Sequence, residues 1–196
     1  MEKPKTVTSI FSLQLVRNFA IKFTFLLILS SLALSAGYAE EQDKNTYRLD
    51  TGDKIFIQVF DETDLTMEAR VGSSGIINYS FLGQLQVAGR TSSELENEII
   101  SLLKNGYLVN PSVNVSILEY RPFFINGEVN RPGGYPYQPG LTLEKAIAIA
   151  GGLTDRASKR KMYLQNAQQD EQKKIKVSMD SNVSPGDIIT IEEGFF

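Results

Sequence analysis

The feature that most constrains this chain is the segment "TSSELENEIISLLKNG", residues 91–106, a self-contained helix set among short alternating runs. Thr91 and Glu94 have the Thr-x-x-Glu spacing of a capping box. Leu95, Ile99, Leu102 and Leu103 recur at helical period, and Asn105-Gly106 supplies a stop. This predicts one amphipathic helix that needs a sheet to cover its apolar stripe. The runs around it supply one. In "YRLDTGDKIFIQVF", residues 47–60, alternation places Ile55, Ile57 and Val59 on one face behind a Gly52-Asp53 turn. In "PSVNVSILEY", residues 111–120, Val113, Val115 and Ile117 share a face. Between them "ARV", "IINYSF" and "QLQV", divided by Gly turns, predict a small β-meander or barrel edge.

A second unit begins near Arg121. "PFFINGEV" reads as a strand and "NRPGGYPYQPG" as a turn region. "LTLEKAIAIA" reads as a short helix with Thr142 as N-cap and Gly151-Gly152 as its stop. "MYLQNA", "KKIKVSM" and "DIITIEE" then read as strands, an order that suits a β-grasp unit, a small mixed sheet on one helix. "SPGDIITI" echoes "DTGDKIFI". Each is a Gly-Asp turn feeding an apolar strand, and Asp53 and Asp187 are expected to bond their own turn backbone. The fold class is α+β, with units at residues 46–119 and 120–193 and almost no linker between them.

Before them, four basic residues (Lys3, Lys5, Arg17 and Lys22) precede the uncharged run "FTFLLILSSLALSAGYA", with Gly37 and Ala39 at positions −3 and −1 of a cleavage point. Residues 1–39 read as a secretory signal peptide, because the apolar part is short for a bilayer span. Its removal takes away four basic residues and one acidic, leaving a mature chain near −6. A nucleic-acid partner is not expected, since the one basic run, "RASKRK", reads as a solvated loop or strand edge.

The chain has no Cys and no His. Disulfides, thiol nucleophiles, a lipid-bearing Cys and the usual general base are thereby excluded. Asp61, Glu62, Asp64 and Glu68 offer carboxylates, but their spacing matches no calcium loop and a glycosidase cleft needs a larger domain, so a solvated loop is expected. No cofactor, metal or catalytic residue is assigned. Tyr79 and Phe81, at alternating positions, are expected in the core. In "GEVNRPGGYPYQPG", Pro132, Pro136 and Pro139 set φ, and Gly133, Gly134 and Gly140 allow turns closed to other residues. The candidate subunit or glycan contacts are Tyr135, Tyr137 and Arg131. Tyr pairs an apolar face with a polar tip, and the alternative for the two rings is their own domain's core.

These segments in this order resemble the polysaccharide biosynthesis/export family, the Wza-type outer-membrane auxiliary proteins. "YRLDTGDKIFIQVFDETDLT", "ARVGSSGIINYSFLGQLQVAGRTSSELENEII" and "YLVNPSVNVSILEY" resemble its export domain. "FINGEVNRPGGYPYQPGLTLEKAIAIAGGLTDRAS" resembles its soluble-ligand-binding β-grasp (SLBB) domain, the V-x-G-x-V-x-x-P-G-x-Y pattern starting here with Ile125 in place of Val. The resemblance implies a non-enzymatic, periplasmic, ring-forming homo-oligomer for capsular or exopolysaccharide, working with an inner-membrane polysaccharide co-polymerase. The chain departs from many members in having no Cys for a lipid, a single SLBB domain and no pore-forming C-terminal helix. That implies a partner at the outer membrane or a purely periplasmic role. The competing readings are a monomeric periplasmic SLBB ligand-binding module and a hydrolase using Asp61 or Asp64.

Overall fold

The computed structural model describes residues 46–166 and 174–194. The signal peptide expected over residues 1–39 lies outside them. In the first module, β1 (Lys54–Val59) is the middle strand of an antiparallel sheet, between β2 (Met67–Arg70) and β5 (Val113–Glu119). Alternation does what it predicts here: Ile55, Ile57 and Val59 are buried. A separate hairpin pairs β3 (Ile76–Tyr79) with β4 (Gly83–Gln86). The runs expected to form one meander are therefore split, because β2 pairs back onto β1 and the turn at Gly72 and Gly75 redirects the chain.

Helix α1 (Ser92–Lys104) carries both halves of the capping box: Glu94 N donates to Thr91 Oγ1 at 3.1 Å and Thr91 N donates to Glu94 Oε2 at 2.9 Å. Leu95, Ile99 and Leu103 are fully buried, a stripe contributing about 1.5–3 kcal/mol per side chain. The helix also guards the sheet edge. Glu96 Oε1 accepts from the free N–H of Val115 on β5 at 2.8 Å, removing one open pairing group.

The second module is a five-stranded sheet in the order β7 (Gly133–Tyr135), β6 (Phe123–Gly127), β10 (Ile188–Glu193), β8 (Ala157–Gln165), β9 (Ile175–Lys176). Only β6 and β10 run parallel. Helix α2 (Leu143–Ile149), N-capped by Thr142, lies between the two in sequence. Its buried Leu143, Ala146 and Ile147 join Phe123, Ile125, Met162, Leu164, Ile189 and Ile191 in one core. The first module has its own core, built on Leu49, Ile55, Ile57, Leu95, Ile99 and Val115. The molecule is mixed α+β.

Two local expectations need amendment. Tyr79 is buried with its hydroxyl donating to Leu65 O at 2.7 Å, but Phe81 is 67% exposed. The cause is a tight turn in which Leu82 N bonds Ser80 O and Phe81 takes φ +64°, breaking the alternation. "RASKRK", expected as a solvated loop or strand edge, is strand from Ala157 onward with Lys159 and Arg160 exposed, while among the described residues "KKIKVSM", expected as a strand, contributes only Ile175–Lys176 as β9.

Candidate contact site

The two Gly-Asp turns have the same construction. Asp53 N bonds Asp50 O and Asp187 N bonds Ser184 O, while Gly52 and Gly186 adopt φ of +96° and +85°. Each carboxylate then accepts from the first residue of its own turn, Asp50 N to Asp53 Oδ2 at 2.9 Å and Ser184 N to Asp187 Oδ2 at 2.7 Å. This is the role expected for both aspartates.

Asp53 does more. Fully buried, it also accepts the backbone N–H of Arg121 at 2.7 Å, the Tyr47 hydroxyl at 2.7 Å and Arg121 Nη1 at 3.3 Å. Arg121 opens the second module and is 6% exposed. Its Nη1 also donates to Tyr47 Oη at 3.0 Å, its Nη2 lies 3.7 Å from Asp50 Oδ2, and its guanidinium sits over the Tyr47 ring. A chain of edge-to-face rings continues outward, Tyr47 to Tyr120 at 5.0 Å and Tyr120 to Tyr137 at 5.3 Å. Burial, then the hydrogen bond to Asp53, push the Tyr47 phenol well above its ordinary range, and burial also raises Tyr120 and Tyr137. The junction is thus a satisfied carboxylate gripping both backbone and side chain of the next module.

The Gly-Pro-Tyr loop is tied down at its other end. Asn130 N and Arg131 N donate to Gly152 O and Ala150 O, Asn130 Nδ2 donates to Gly151 O at 2.7 Å, and Arg131 Nη2 donates to Ile149 O at 3.1 Å. These are carbonyls left open at the C-terminus of α2, where a cation is also favoured by the helix dipole. The "NRPGG" and "AGG" motifs therefore form one device. A Cβ at Gly151 would lie 3.1 Å from Arg131 Nε, and φ there is +83°.

Of the predicted contact residues, Arg131 is exposed but its guanidinium caps α2. The Tyr135 ring stacks on Phe123 at 5.9 Å, and its hydroxyl donates to Arg131 O at 2.6 Å. Tyr137 bridges toward Tyr120. Both tyrosines are half-buried against the second core. The three side chains therefore go to different places, Arg131 to the end of α2, Tyr135 to Phe123 and Tyr137 to Tyr120, and each holds the fold. Asp61, Asp64 and Glu68 are exposed, Glu68 pairing with Lys54. Among the described residues no group of three or more acidic side chains is placed to hold a metal. Sequence reading missed the Asp53–Arg121 pair, which joins residues 68 positions apart. The signal available was an Arg at the start of the second unit and an Asp already expected to bond its own turn backbone.

Comparison with known proteins agrees with this architecture. Residues 41–118 match the family of polysaccharide biosynthesis/export proteins and residues 122–178 match the SLBB domain. The chain is 36% identical over 143 residues to the exopolysaccharide production protein ExoF of Rhizobium meliloti, covering 67% of this chain and 34% of that protein. It is 29% identical over 133 residues to the EPS I polysaccharide export outer membrane protein EpsA of Ralstonia solanacearum, 55% of this chain and 35% of that one. The polysialic acid transport protein KpsD of Escherichia coli is 28% identical over 109 residues, 55% of this chain and 20% of KpsD. The matched region spans about a third or less of each relative's length. With an export domain leading directly into an SLBB domain, the chain belongs to the polysaccharide biosynthesis/export protein family.

Proposed function

We propose that this protein is a non-enzymatic, periplasmic component of a capsular or exopolysaccharide export machine. It assembles with copies of itself into a ring that serves as a conduit or adaptor for polysaccharide moving toward the outer membrane. The observation that carries this reading is the junction. Asp53 binds the first residues of the second module through both backbone and side chain, so each copy presents two modules in a set orientation. A heterologous, head-to-tail contact closes into a ring only when each subunit repeats one rotation. The working partners are the polymer, an inner-membrane polysaccharide co-polymerase and an outer-membrane partner. Tyr135, Tyr137 and Arg131 contribute as the preset surface of the loop, offered to the next subunit or to the glycan.

Light scattering of the purified protein over a concentration series tests this. A closed oligomer of one defined mass is expected. A strict monomer at every concentration would overturn self-assembly and leave the monomeric SLBB ligand-binding module as the reading.

A further inference from the structure

The five-stranded sheet has a second face, opposite the core. Across it, the register aligns Asn126, Thr190, Tyr163 and Lys176 on β6, β10, β8 and β9, with a neighbouring row of Gly134, Phe124, Ile188 and Gln165. Every one of these residues keeps solvent contact, Phe124 at 44%, while the alternate residues Phe123, Ile125, Ile189, Met162 and Leu164 fill the core. The face is about 19 Å wide over four strand spacings.

Its chemistry is of one kind. Phe124 rests against Gly134, where an added Cβ would meet the ring carbon Cε1 at 2.9 Å, and the ring stays partly open to solvent. Beside it, the side chains of Asn126, Gln165, Thr190 and Tyr163 have no hydrogen bond to any described residue. At one side the sheet turns cationic. Between Ile191–Met162 and Glu193–Ala157 the ladder takes six residues of β8 against three of β10, a bulge that contains the Lys159-Arg160-Lys161 run. Lys159, Arg160, Lys174 and Lys176 are exposed and have no ion-pair partner among the described residues. This gathers unpaired positive charge on a chain of net charge −3.

Resting on the export reading above, we propose that this outer face is a contact surface for an acidic, carboxylate-bearing glycan. A sugar ring stacks on Phe124 through its apolar C–H face. The amides of Asn126 and Gln165 and the hydroxyls of Thr190 and Tyr163 bond sugar hydroxyls. Lys176, with Lys159 and Arg160 at the bulge, pairs with carboxylates along the polymer. Charge complementarity selects the occupant: a flat row of uncommitted donors flanked by cations suits an anionic sugar chain better than the apolar centre of a protein interface. The cations are exposed, so each contact is weak and the polymer can move on.

The test is equilibrium binding of the full-length protein to oligogalacturonate, which carries a carboxylate on each sugar, against dextran oligomers of the same length. Phosphatidylglycerol vesicles form a third arm. Galacturonate binding that weakens with salt is expected, with dextran about ten-fold weaker or more. The combined Lys159→Gln, Arg160→Gln and Lys176→Gln variant should lose about ten-fold, and Phe124→Leu should lose affinity for both sugars, with urea midpoints unchanged. Equal affinity for the two sugars, no binding, variants without effect, or vesicle binding that depends on the same cations would each overturn the proposal. If glycan binding fails while light scattering still gives a closed oligomer, only this inference falls. A strict monomer that binds galacturonate through these residues removes the ring and leaves the glycan face standing.

Discussion

Gly127 is the residue on which the second module's parallel pairing is most exposed to a single methyl group. It ends β6 at φ +84°, and a Cβ built there would sit 2.0 Å from Ile191 O and 3.0 Å from Ile191 C on β10. Those are backbone atoms of a paired strand and cannot swing aside. Ile191 O is also the acceptor for Glu128 N at 2.9 Å, so retreat of either strand breaks that bond. Gly83 is the internal control: its φ is +76°, with nothing within 4 Å of an added Cβ.

In Gly83→Ala, the left-handed conformation costs about 1–2 kcal/mol, of which about 0.4–1 is offset by the stiffer unfolded chain. A net loss of about 0.5–1 kcal/mol is expected. Gly127→Ala adds about 0.5–1.5 kcal/mol for the weakened hydrogen bond and about 1–3 for forced repacking, reaching about 2–5 kcal/mol in all. Urea denaturation followed by far-UV circular dichroism reads the difference directly. With a slope of about 1–3 kcal/mol per molar, Gly127→Ala should lie about 0.5 M or more below the control. Two variants within about 0.5 kcal/mol of each other would refute the steric account.

Three further outcomes are expected. Arg121→Met leaves the Asp53 carboxylate buried without its cation and should cost about 3–5 kcal/mol. In a double-mutant cycle with Asp53→Asn, additive losses would show that the pair is not coupled. Thr91→Ala should cost about 1 kcal/mol by thermal or urea melting. The Glu94 carboxyl is held below its ordinary range, first by the Thr91 backbone N–H, so its contribution is present above the unfolded pKa and lost as pH falls through the folded one. Glu94→Gln should therefore flatten the acid limb of the stability profile. Burial pushes the Tyr79 phenol from 10.0 up to about 12, so its contribution is complete below about pH 10 and lost as pH rises toward 12. Tyr79→Phe should reduce that alkaline loss, measured as the urea midpoint at pH 9 and pH 11. An unchanged alkaline slope would count against the assignment.

Local chemistry was legible before any coordinates. The capping box of α1 and the Thr142 cap of α2 depend on residues three apart, and strand faces depend on a period of two, so a short window contains the information. The Gly-Asp turns were legible for the same reason, and the backbone bonds of Asp53 and Asp187 follow from the turn. Phe81 shows the limit of that reasoning, because a turn of positive φ between two alternating positions sends the second ring to solvent. The placement of Arg131 at the end of α2, against carbonyls 18 and more residues away, was out of reach of a window.

By itself the sequence determined where elements start, which faces of them are apolar, and the α+β class, since propensity, capping and hydrophobic period act between near neighbours. The tertiary structure decided that Asp53 reaches Arg121 across 68 positions. It also decided that Tyr137 joins a ring chain at the junction, and that Phe124, Tyr163 and Lys176 share one open face. Such meetings are fixed by strand order and register, which depend on how whole elements pack and leave no mark in any short stretch of chain.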